Sequence, residues 1–378
     1  MEQYAFFLVN VILIVVCIIM SLVFIVLPLP RKEGLKSYRS SLRFLAISYF
    51  ILAVLTTLNL LSDNKNVNFT IDLTTISLQT ILFSFSLIIL FNSSYANVTY
   101  VLKHIFPTVL YIFISLIFAK IWGVNSMYSI NVFRVNQIQP GAVLNMLFLL
   151  FCIAQIIYLS LIFISQAKKY KLRIDNYFAD TDRLRLIWVR YCFYGALSLV
   201  FLVIISMFVA SPAFGLVITG INSVFYILFG LYYIQYPNTY VNIEPMFVTS
   251  DLNNNEDLKI NHQSISWGKF KSVIIDEKYY LRPGVNIEEM AQYLKIGRTT
   301  LSNLINKEEK MNFHAWINTM RIEEAQQLII ANPDHSIAQV ADMIGFSEPS
   351  NFSRQFKQIT KQSPTLWKQK QMCKPEMK

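Results

Sequence analysis

Charge is scarce in this chain. Only 15% of its 378 residues are Asp, Glu, Lys or Arg, against roughly 25% in soluble domains. With 54% hydrophobic residues and a mean hydropathy of +0.44, the composition excludes a wholly soluble fold and calls for membrane segments. Cysteine is sparse as well. Cys17, Cys152, Cys192 and Cys373 show no CxxC spacing, which argues against both a disulfide framework and a thiolate zinc site. The four histidines, His104, His262, His314 and His335, are scattered, so no metal is expected and no cofactor is assigned. Acids and bases are also missing from the centres of the apolar runs, where ion and proton pathways carry them. Nothing there resembles a catalytic or transport site, and the chain does not read as an enzyme.

What is present is a series of long apolar runs. They cover about 6–28, 44–61, 73–91, 105–122, 143–165, 190–209 and 213–233, lengths suited to a ~30 Å hydrocarbon core. Met1 to Tyr4 carries no positive side chain, so the first run reads as a retained helix and not as a signal peptide. The odd-numbered connections hold Arg31, Lys32, Lys36, Arg39, Arg43, then Lys103, then Lys168, Lys169, Lys171, Arg173, Arg183 and Arg185. The even-numbered ones hold Lys65 and Arg134, with Lys120 near a helix end. The bias places odd connections in the cytoplasm and the N-terminus outside. Seven crossings then leave the C-terminal tail in the cytoplasm. Residues 62–72 and 123–142 are too short for a folded outer sensor, so a stimulus must be read by helices, short loops or a membrane partner. Within the runs Asn10, Gln79, Gln155 and Asn222 are the notable polar residues, suited to interhelical hydrogen bonds.

After Gln235 the apolar pattern stops. Pro237, Pro245 and the run Asn253 to Asn255 mark a polar linker, 234–265. From Trp267 onward the chain has 16 Lys/Arg against 12 Asp/Glu, interleaved as in a soluble domain. Ser336 and Gln339 form a capping-box pair, and Ile337, Val340, Ala341 and Ile344 form an apolar helical stripe. Gly345 supplies a turn. A second helix follows, with Phe352, Phe356 and Ile359 on one face and Ser350, Ser353, Arg354 and Lys357 on another. The pattern occurs twice. Asn286, Ile287, Met290, Ala291 and Leu294 repeat the cap and stripe fifty positions earlier and lead into Gly297 to Ile305. A longer helix, Phe313 to Ile330, lies between the copies.

Residues 268 to about 370 resemble the AraC/XylS-type DNA-binding domain, in which two helix-turn-helix units are joined by a linker helix. The resemblance rests on Ile337-Ala338, Ala341, Ile344-Gly345-Phe346, Phe352, Arg354, Phe356-Lys357 and Ser363-Pro364, with Arg321 to Leu328 upstream. Lys361 stands where the family usually has Gly, Trp367 where Tyr is common, and Lys295 at the turn position of the first unit. The resemblance implies recognition helices in successive major-groove segments. Base-reading candidates are Arg298, Thr299, Ser302 and Asn303 in the first unit, and Ser350, Asn351, Ser353 and Arg354 in the second. Lys357 and Lys361 suit phosphate contacts.

The expected architecture is all-α: a seven-helix transmembrane bundle (1–233), the linker (234–265) and a C-terminal double helix-turn-helix domain (266–378). The expected partners are double-stranded DNA and the lipid bilayer, with a small-molecule or membrane-protein signal and a homodimeric copy compatible with this reading. The rival classes are a transporter or membrane enzyme with a regulatory tail, and a bundle that only anchors a partner-controlled DNA binder.

Overall fold

Fourteen α-helices and no strands make up the described residues of the computed structural model, which are 2–29, 35–62, 65–123, 140–181, 184, 186–209, 211–235, 237 and 267–372. Most of the expected linker 234–265, namely 236 and 238–265, lies outside them. The chain forms two compact units. One comprises Met1–Tyr170 with Leu186–Asn242, and the other Lys171–Arg185 with Ile243–Lys378.

The first unit contains α1 (Glu2–Val26), α2 (Lys36–Leu61), α3 (Lys65–Phe91), α4 (Val98–Trp122), most of α5 (Pro140–Tyr177), α6 (Ile187–Ser206) and α7 (Pro212–Ile234). Among the described residues, seven helices are long and apolar enough to cross a membrane. Their polarity is inverted relative to a soluble bundle: Phe50, Phe113, Leu150, Phe201 and Leu228 are exposed, an arrangement that water does not tolerate at this scale. α3 is the central helix, with most of its residues buried. Small polar side chains tie it to its neighbours, as expected where apolar burial alone does not drive association. Ser48 Oγ donates to Gln79 Oε1 at 2.7 Å, and Gln79 Nε2 returns to the Ser48 carbonyl at 2.8 Å. Ser77 meets Thr108 at 2.7 Å and donates to Gln155 at 2.9 Å. Gln79 and Gln155 thus bridge helices as expected. Asn10 and Asn222 instead donate to carbonyls one turn back on their own helices, Phe6 at 2.9 Å and Ile218 at 3.1 Å.

Two sequence boundaries shift. α3 begins near Lys65, eight residues before its apolar run, so Asp72 is part of a candidate span. α5 continues past its apolar run to Tyr177, because Lys168, Lys169, Lys171 and Arg173 are themselves good helix formers.

The second unit is built around α11 (Phe313–Ala331), which Asn312 caps by accepting from the Ala315 N–H at 2.9 Å. α8 (Trp267–Asp276), α9 (Ile287–Tyr293) and α10 (Arg298–Leu304) precede it, and α12 (Ile337–Met343), α13 (Pro349–Thr360) and α14 (Pro364–Met372) follow. Ile322, Ala325 and Ile329 of α11 share a core with Val340, Ala341, Ile344, Phe346, Phe352 and Phe356. Ile359, expected on that buried face, is exposed at 37%.

Candidate nucleic-acid interface

Each helix-turn-helix unit is fixed by the same backbone bonds. In the first, the N–H groups of Leu294, Lys295 and Ile296 donate to the carbonyls of Met290, Gln292 and Ala291 at 3.0, 3.1 and 3.0 Å. Fifty residues on, Ile344, Gly345 and Phe346 donate to Val340, Asp342 and Ala341 at 3.1, 3.0 and 3.0 Å. The caps match as well: Asn286 accepts from the Glu289 N–H at 2.9 Å, and Ser336 from Gln339 at 3.2 Å within a complete capping box. The turn requires a left-handed residue. Gly345 provides it at φ +81°, and Lys295 adopts the same region at φ +56°. The missing glycine in the first unit therefore leaves the turn intact and adds strain to it.

Arg321 of α11, fully buried, holds the two units together. Its Nε donates to the Tyr280 carbonyl at 2.7 Å and its Nη2 to the Arg282 carbonyl at 2.8 Å. The guanidinium carbon lies 5.2 Å from the centre of the Phe346 ring. Burial pulls its pKa down to about 10, partly opposed by the Asp180 charge, so it remains cationic at neutral pH. Gly345 packs against the same place: a Cβ there would lie 2.2 Å from the Leu281 carbonyl oxygen. Nearby, Tyr280 donates to Glu324 at 3.1 Å. Burial and that carboxylate push the phenol up to about 12. At the start of the unit, Glu309 accepts from Trp267 Nε1 at 2.7 Å and Lys271 Nζ at 2.9 Å. Burial opposes ionisation of Glu309, but these donors outweigh it and hold the carboxyl below its usual range.

The predicted DNA-facing residues lie on α10, α13 and the turn after α13. Asn303, Ser350, Arg354, Lys357 and Lys361 are exposed, whereas Arg298, Thr299, Ser302 and Ser353 are half-buried. Lys361 adopts φ +62° and caps α13, its Nζ donating to the Gln358 carbonyl at 2.9 Å. Asn351 is only 2% exposed. Its Nδ2 donates to Asp180 Oδ1 at 2.5 Å, and its Oδ1 accepts from Arg354 Nη2 at 3.2 Å. Ser347 donates to the other oxygen of Asp180.

Asp180 belongs to the segment Lys171–Arg185 of the same unit. The sequence reads this stretch first as a topology signal, with contact to anionic lipid or to the C-terminal tail as the lesser alternative. The segment touches both helix-turn-helix units. Tyr177 lies 5.9 Å beneath the Arg298 guanidinium, and Phe178 forms an isolated antiparallel bridge with Asn286. The Ala179 N–H donates to the Val285 carbonyl at 3.1 Å. The Ala179 carbonyl accepts from His314 Nδ1 at 2.6 Å and Asn318 Nδ2 at 2.9 Å. A carbonyl can only accept, so His314 carries its proton on Nδ1 and its Nε2 accepts from Gln355 at 3.3 Å.

Residues 290–370 match the family described as "Helix-turn-helix domain". The C-terminal part of this chain is an AraC-type helix-turn-helix domain. Parts of this chain are similar to proteins named as regulators. The regulatory protein PocR of Salmonella typhimurium is 30% identical over 90 residues, 24% of this chain and 29% of PocR. An HTH-type transcriptional regulator of Staphylococcus aureus is 24% identical over 150 residues, 34% of this chain and 20% of the relative. The Msm operon regulatory protein of Streptococcus mutans is 24% identical over 117 residues, 30% of this chain and 42% of the relative. The chain thus spans less than half the length of each of these relatives. No solved structure matches it. These matches show a helix-turn-helix domain at the C-terminus and a likeness to proteins named as transcription regulators.

Proposed function

We propose that the protein is a membrane-bound, one-component transcription regulator whose bundle senses a signal and whose AraC-type domain reads DNA. The observation that carries this reading is one chain joining duplicated, cation-bearing helix-turn-helix units to seven helices long and apolar enough to span a bilayer. The positive-inside bias supports an N-terminus outside and the reader in the cytoplasm, where DNA is available. A single span is enough to anchor a domain, so seven favour a sensing role. A signal is transmitted only if it binds two bundle states unequally.

In this reading α10 presents Arg298, Thr299, Ser302 and Asn303 to one major-groove segment. Ser350, Ser353 and Arg354 of α13 face the next, and Lys357 and Lys361 hold phosphates. Asn351 joins them once Asp180 releases it. The test is selection from a random duplex library by the full-length protein in lipid nanodiscs. Two enriched blocks about one helical turn apart are expected. On the selected site, Arg354→Ala should lose ~1–3 kcal/mol of binding with relaxed specificity at one position. Lys361→Ala should weaken all sequences alike and flatten the salt dependence. Absence of any sequence preference at physiological salt would refute the regulator reading.

A further inference from the structure

The first unit encloses a cavity of about 280 Å³ between α1, α2, α3, α6 and α7. Its wall on α3 runs turn by turn through Asp72, Ile76, Gln79 and Phe83, a rise of about 16 Å. The two ends differ. At one, Asp72 accepts from Asn59 Nδ2 at 2.5 Å, and Phe6 of α1 lies against Gly215 of α7. Towards the other, Phe83, Phe225 and Tyr226 form a connected aromatic floor, with Phe83 and Phe225 centred 6.1 Å apart and Phe225 and Tyr226 5.7 Å apart. Asp72 is the one acid among the described lining residues, and none of them is Lys, Arg or His. A carboxyl in a largely apolar cavity either takes up a proton or is stabilised as the anion by a positive charge that reaches it. Asn59 supplies a donor and no charge.

We propose that this cavity is a binding site for a small amphipathic organic cation, its ammonium on Asp72 and its apolar body against the aromatic floor. The proposal deepens the sensing reading above by naming the class of ligand. Asn10 and Asn222, each of which donates to its own helix, also line the space.

The probe is tritiated 4-phenylbutylamine, cationic at neutral pH, with pentylbenzene as its uncharged counterpart of the same shape. Purified full-length protein in nanodiscs should bind the amine saturably. Unlabelled amine should displace it at least tenfold better than pentylbenzene. Asp72→Asn, which keeps a partner for Asn59, should weaken the amine at least tenfold and leave pentylbenzene unchanged. Ala196→Trp, which fills the cavity from α6, should abolish both. No saturable binding, or equal competition by pentylbenzene, overturns the site, and the second result needs the wild-type protein alone. A reporter under the selected operator separates the two readings. Binding that leaves transcription unchanged refutes sensing and retains the site, whereas a loss of binding leaves the regulator reading standing.

Discussion

Four described lysines hold backbone conformations that glycine would adopt without strain: Lys278 before the first unit, Lys295 in the first turn, Lys310 after the first recognition helix and Lys361 after the second, at φ +49°, +56°, +55° and +62°. In this region a Cβ crowds the following carbonyl, at a cost of about 1–2 kcal/mol per residue. Lys295→Gly should therefore stabilise the AraC-type domain by about 1 kcal/mol net of the added freedom of the unfolded chain, measured by thermal unfolding. The same exchange in reverse should be severe. Gly345→Ala places a methyl 2.2 Å from the Leu281 carbonyl and beside Arg321, at φ +81°, and a loss of at least about 2 kcal/mol is expected. A small loss at Gly345 would mean that the Arg321 hub yields easily. The cap and turn signals were legible in the sequence because they are local. The role of Arg321 was not, since its partners Tyr280 and Arg282 lie about forty residues away.

At the scale of elements, periodicity located the helices well and their ends poorly. Apolar runs mark the part of a helix that an apolar medium covers, whereas α3 and α5 extend beyond it on polar residues with adequate helix propensity. That shortfall hid Asp72, one residue outside the apolar run at 73–91. It also hid the 177–181 stretch, whose contacts are mostly made by backbone and short polar side chains. Asp180→Asn should show what that stretch does. It removes a negative charge beside Ser347 and Asn351 at the start of α13, and that charge opposes an approaching phosphate. Several-fold tighter DNA binding is expected, together with a stability loss of about 1 kcal/mol from the weakened hydrogen bonds. Unchanged affinity in a binding titration would show that α13 reads DNA without Asn351.

The whole chain divides by composition at about residue 235, yet the second compact unit does not begin there. It recruits Lys171–Arg185 from between α5 and α6, so the two materials of the sequence and the two units of the fold differ in extent. Reporter fusions after Lys169 and Asn254 are expected to give cytoplasmic signals, and fusions after Asn64 and Asn131 external ones. A cytoplasmic signal at Asn131 would overturn the proposed topology.

The shared unit also sets an arithmetic condition on the crossings. In the proposed topology, the 171–181 stretch and residues 267–372 can meet only on one side of the bilayer, so the spans between them must be even in number. α6 and α7 satisfy that parity. Removing either one while keeping the other would strand Ala179 across the membrane from His314 and Asn318, whereas removing both would preserve the encounter. In the proposed topology, orientation of the final domain is thus tied to α6 and α7 as a pair.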